Sequence, residues 1–249
     1  MTEMMSRLNA TSARERLETA GSRMSAITMG LRDATMEARS HRDENLSPEG
    51  LGARRQEMVQ AARERASRAV RDLRAEVDRD ITVVRSWAEL HTPRVPDDAV
   101  GLQRLGMAWD RARMQLDAGR SIREVLATAD RDVALAVREW GPDWLRAHNA
   151  SIRPVGLDGA AWPEPDTTGL VRSCDRRLAE TVGGLSAAAI ESLQAVEVAR
   201  AGLEPMMRHA ELEVMGANTD PTSLMSAALE SRFAAQQASA GFAGAEVAS

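Results

Sequence analysis

The residues of this chain that could do acid–base, metal or nucleophilic chemistry are few and poorly spaced. The histidines are His41, His91, His148 and His209. None lies four residues from another, none follows a glutamate by three, and none sits in an H-E-x-x-H frame. Helical zinc and di-iron sites use those spacings to bring ligands to one face, so each histidine reads as a surface or loop residue. Cys174 is the single cysteine, which excludes an intrachain disulfide and a multi-cysteine zinc site. Arg172, Arg176 and Arg177 could lower its pKa, but Asp175 opposes them, and a buried, inert helical thiol is expected. The carboxylate pairs Asp78/Asp80 and Asp130/Asp132 stand two apart, about 200° around a helix, so neither converges on a substrate. Asp97-Asp98 is more simply a helix cap. Gly183-Gly184 interrupts a helix without forming a phosphate loop, and there is no G-x-S-x-G elbow. All 32 basic residues are arginine, so phosphate-loop and Schiff-base lysine chemistry are absent. No catalytic residue, metal ligand or cofactor is therefore expected, and the chain reads as non-enzymatic.

Binding chemistry remains. Between residues 50 and 85, nine arginines from Arg54 to Arg85 stand against six acids. They could track phosphates, yet interleaved acids mark a solvated, salt-bridged helix face, and no aromatic residue before Trp87 offers base stacking. The formal net charge is -5. Residues 1–150 are balanced and the remainder is acidic, without the basic excess of a nucleic-acid binder. A helical regulatory or nucleic-acid-associated protein is the second reading, and nucleic acid is not the expected partner. Methionines such as Met4, Met5, Met24, Met29, Met36, Met206, Met207 and Met215 could form an adaptable docking surface or ordinary helix packing. The absence of lysine and tyrosine beside 43 alanines fits GC-rich coding or selection against lysine.

Helix is the only strong periodic signal available to position these residues. Residues 2–40 read as one helix, weakened at Gly21 and Gly30. Ser47-Pro48-Glu49 starts the next, with a serine cap, a proline at the first helical position and an acid near the positive end. From Val59 to Ala88 apolar residues recur about every 3.6 positions, the α-helical period. Pro93 and Pro96 end that helix. A helix capped by Asp97 or Asp98 follows and closes at Gly119. The next opens on the capping box Ser121 to Glu124 and is expected to stop at Gly141-Pro142, with a short turn over 144–148. All five tryptophans (87, 109, 140, 144 and 162) fall in this middle third, which predicts the best-packed core there. Three prolines and two glycines make 149–167 a connector. Helices over 168–201 and 205–215 follow, then a last one from Asp220-Pro221 to about Ala238.

The segment Leu46-Ser47-Pro48-Glu49-Gly50-Leu51, with Arg54-Arg55-Gln56-Glu57 and the long Ala/Arg/Glu helix behind it, resembles helical scaffolding and minor structural proteins encoded near the capsid genes of actinobacterial phages. The resemblance covers about 45 residues. It implies a virion-associated or scaffolding role, although the basic C-terminal segment of many scaffolds is replaced here by an acidic one.

The expected fold is all-α and elongated: a long N-terminal helical hairpin or coiled-coil arm followed by small helical domains. The arm takes 1–92, a Trp-bearing domain 93–148, a linker 149–167, and a C-terminal helical unit with a frayed tail 168–249. The stripe Val59, Val70, Leu73, Val77, Ile81 and Val84 looks too narrow for a globular core. It is assigned as an interface to a second copy of the chain or to another protein, such as a capsid or connector component. No signal peptide or apolar span is visible, so a cytoplasmic or virion setting without a membrane is expected.

Overall fold

A computed structural model describes residues 2–152, 163–217 and 222–240, and every regular element among them is helical. The helices are α1 (Thr2–Ser40), α2 (Pro48–His91), α3 (Ala99–Asp117), α4 (Ile122–Ala127), α5 (Arg131–Ser151), α6 (Thr167–Val182), α7 (Gly184–Val214) and α8 (Ser223–Ser239). The chain divides into two compact units. The first is residues 1–86 with 195–238, the second 87–194 with 239–249, so the boundaries fall inside α2 and α7 and before the last residue of α8.

In the first unit, α1 and α2 form an antiparallel hairpin, read directly from their partners. Arg55 donates to the carbonyl of His41, Arg23 pairs with Glu76, and Arg16 pairs with Asp80. The C-terminal part of α7 runs antiparallel to α2, since Arg85 meets Glu197 at 2.5 Å and Arg74 meets Glu211 at 2.6 Å. Gly216, at φ +73°, ends α7 with paired backbone bonds, Gly216 N–H to Glu213 O and Ala217 N–H to Leu212 O. That turn needs a left-handed residue, which glycine adopts without a Cβ clash. Helix α8 returns along α7, with Ala235 and Ser231 against Gly202. The result is a four-helix packing of α1, α2, α7 and α8 around Leu17, Met24, Val70, Leu73, Val77, Val196, Leu203 and Met206.

The second unit packs α3, α4, α5, α6 and the start of α7 around Leu105, Leu116, Val125, Val133, Val137, Leu170, Leu178 and Ile190. Its helix starts follow the expected chemistry. Asp98, Ser121, Asp130 and Asp166 each accept a backbone N–H in the first turn of α3, α4, α5 and α6, and Ser121–Glu124 forms the full capping box. Three tryptophans sit at the edge of this core: Trp109, Trp140 and Trp144 are partly buried against it. Small aliphatic residues fill the centre.

Several sequence expectations are corrected. Helix α5 does not stop at Gly141-Pro142 but runs to Ser151 with Pro142 inside it. A proline there costs about 3 kcal/mol, and tertiary burial outweighs it: Gly141 lets Leu170 of α6 approach closely, while Val137 and Leu145 are buried on the same side. The helix expected over 168–201 is fully divided at its Gly183-Gly184 interruption, where both glycines take positive φ. In turn, Pro205 lies within the continuous α7 and starts nothing. The C-terminal unit expected at 168–249 is divided. Leu170, Cys174 and Leu178 of α6 face the second unit's core, whereas residues such as Val196, Leu203, Met206 and Ala227 complete the hairpin's packing. The connector at 149–167 shortens, because α5 reaches Ser151 and α6 begins at Thr167. Its stretch 153–162, the Asp220-Pro221 helix start and the tail beyond Ala240 lie outside the described residues.

Candidate interaction surface

The stripe assigned to an intermolecular contact is occupied by the chain itself. Val70, Leu73, Val77 and Val84 are buried with Ala13, Leu17, Ala20 and Met24 of α1 and with Val196, Leu203, Met206 and Met207 of α7. Ile81 is partly buried against the same cluster, and Val59 is partly buried. The reason is geometric. A stripe too narrow to bury against one helix is covered when two further helices close on it from either side, and α1 with α7 supply them. The interface assignment is therefore corrected for Val70, Leu73, Val77, Ile81 and Val84, which belong to or pack on the core, while Val59 stays half-buried.

Ionic pairs fix this packing. Arg16 grips the buried Asp80 through both Nε and a terminal nitrogen. Arg23 makes a two-pronged contact with Glu76 at 2.7 Å on each arm, which holds the Glu76 carboxyl below its ordinary value. Deeper in the same unit, Glu213 of α7 accepts from Arg32 of α1 and lies 3.3 Å from Nε2 of His209, one turn back. Arg32 also reaches the Ser223 hydroxyl at the start of α8 at 3.2 Å. His209 is buried and not at the surface. Burial is the main cause of its lowered pKa, Arg32 adds to the lowering, and Glu213 opposes both. The spacing His209 to Glu213, one helical turn, was visible in the sequence. Arg32, 181 positions away from Glu213, was not.

The other candidate groups show no shared chemistry. His91 packs on Trp87 with ring centres 5.2 Å apart, and His148 stacks on Trp144 at 4.8 Å. Cys174 is fully buried in the second unit, and desolvation pushes its thiol up to about 12. Among the described residues no three His, Cys, Asp or Glu side chains are placed to hold a metal ion. No described helix is long and apolar enough to cross a membrane. Of the arginines considered for phosphate tracking, Arg54, Arg74 and Arg85 are engaged by Glu57, Glu211 and Glu197.

What the first unit does expose is the outer face of α8. Leu224, Ala227 and Ala228 pack inward. Met225, Leu229 and Phe233, spaced four apart, are 69%, 62% and 63% exposed. A helix whose second apolar stripe meets water forgoes burial on that side. Glu230 and Arg232 are the only charged residues in its 17 positions. Reading the sequence missed this surface, although the double stripe is present in Leu224–Phe233. The periodicity of α2 drew the assignment because it is longer and more charged on its opposite side.

The chain matches no protein-family model, and neither a curated protein nor a solved structure is significantly similar to it.

Proposed function

We propose that this chain is a non-enzymatic structural or assembly protein, and that copies of it associate through the outer face of α8. The observation that carries the reading is the exposed stripe Met225, Leu229 and Phe233 on a helix whose other side is already committed to the bundle. The stripe is self-complementary. In an antiparallel pair centred on Leu229, each Met225 meets the Phe233 of the other copy, and thioether–aromatic contacts are favourable. Twofold pairing of identical surfaces is also the commonest route to an oligomer. The phage-protein resemblance of residues 46–90 supplies the proposed setting, assembly of a virion, with a capsid or connector component as the further partner. The pairing of Arg74 and Arg85 with carboxylates of α7 favours this reading over phosphate tracking.

Solution mass decides the matter. Sedimentation of the unaltered chain at micromolar concentration should give a dimer or larger species that persists as salt is raised, since apolar contacts are not screened. The triple change Met225→Glu, Leu229→Glu, Phe233→Glu should give a monomer with the same helical circular dichroism. A monomeric parent refutes the proposal.

A further inference from the structure

The second unit contains a cleft of about 590 Å³ whose described walls are polar and carry charge of one sign. His91 ends α2, Thr92, Pro93 and Arg94 follow it, Arg131 opens α5, Thr181 and Val182 close α6, and Ser186 lies in the first turn of α7. Among the described residues no carboxylate lines it. The acids nearest in sequence to Arg131 and Thr181 are engaged elsewhere. Asp130 caps α5 by accepting from the Val133 N–H at 2.8 Å, Asp132 pairs with Arg104 at 3.0 Å, and Glu180 pairs with Arg177 at 3.1 Å. Arg131 has no ion pair or hydrogen bond within the described residues, and Arg94 donates only to the backbone carbonyl of Glu89. By contrast, Arg138 and Arg104 of the same unit both pair with carboxylates.

We propose that this cleft binds a small phosphate monoester, held between the guanidinium groups of Arg94 and Arg131. Two guanidiniums that line one cleft with no described carboxylate favour an anion between them. The planar donor fork of arginine matches the oxygens of a phosphate with two parallel hydrogen bonds. Thr92 and Thr181 donate to the carbonyls of Ala88 and Arg177, which leaves their oxygens as acceptors for ligand hydroxyls. The cleft has room for more than a phosphate group. The one aromatic ring among its described residues, His91, is packed on Trp87 and offers no stacking platform for a base. The organic part is therefore polar and non-aromatic, as in a sugar phosphate.

The test is a calorimetric titration of the full chain with inorganic phosphate, glucose 6-phosphate and adenosine monophosphate, each at matched ionic strength against chloride. Saturable binding of phosphate is expected, tighter for glucose 6-phosphate, with the adenine ester no tighter than the sugar ester. Arg94→Gln and Arg131→Gln should each weaken binding by about tenfold and the double change should abolish it. Both side chains are exposed and outside any ion pair, so the melting temperature without ligand should not fall. Arg123→Gln, on the exposed side of α4, should bind as the parent does. Absence of saturable phosphate binding, or binding that survives the double change, overturns the site. Markedly tighter adenosine monophosphate overturns the non-aromatic assignment.

Discussion

Replacing Leu73 by alanine tests whether the α2 stripe is core or interface. Leu73 is 3% exposed and sits among Leu17, Met24, Val70 and Val77 in the first unit. Truncating a buried leucine costs about 2–5 kcal/mol, the spread reflecting how far the site collapses around the lost volume. The surroundings here are long helices tied by Arg16–Asp80 and Arg23–Glu76, which resist collapse, so about 3 kcal/mol is expected. For a chain of this length about 3 kcal/mol lowers the melting temperature by roughly 10 °C. Thermal circular dichroism reads that fall, because the first unit holds most of α1, α2 and α8. The described tryptophans, Trp87, Trp109, Trp140 and Trp144, all lie in the second unit, so their emission reports it separately. Val59→Ala on the same helix, at a partly exposed position, should cost under about 1 kcal/mol. Sedimented mass should be unchanged for both. A Leu73→Ala protein that melts like the parent but loses mass would place the stripe between copies and refute the intrachain core.

Two further outcomes follow from ionisable groups. His209 has its pKa lowered by burial and by Arg32, so the unfolded chain takes up its proton more readily than the folded one. Its stabilising effect is complete above its ordinary value of 6.5 and is lost as pH falls below that value, by at most about 1.4 kcal/mol per pH unit for one proton. His209→Asn should flatten the stability profile in that window. The separate loss below 4.5, where Glu76 is protonated away from Arg23, should remain. Cys174, with its thiol raised to about 12 and fully buried, should resist disulfide-exchange reagents in the native protein and react stoichiometrically once denatured. Rapid native labelling would show that α6 opens locally.

The sequence by itself determined the class of the fold and most of its punctuation. The 3.6-residue period of α2, the Ser47-Pro48 start, the Ser121–Glu124 box and the stop at Pro93 are local signals. Local backbone geometry obeys them whatever the rest of the chain does. The candidate surface was partly legible too, since the double stripe of α8 can be read from Leu224 to Phe233 once both faces are counted. Only tertiary packing decided the rest. Pro142 stays inside α5 because burial beside Leu170 is worth more than the lost hydrogen bond, a comparison no local window contains. The stripe on α2 became core because the chain returns more than a hundred residues later and lays α7 across it. The pairing of Arg32 with Glu213 depends on that same return path, and the placing of Arg94 and Arg131 on one cleft depends on the packing of α5 and α6. Spacing in sequence reveals which residues share a helix face. Which faces then meet is set by the balance of burial over the whole chain.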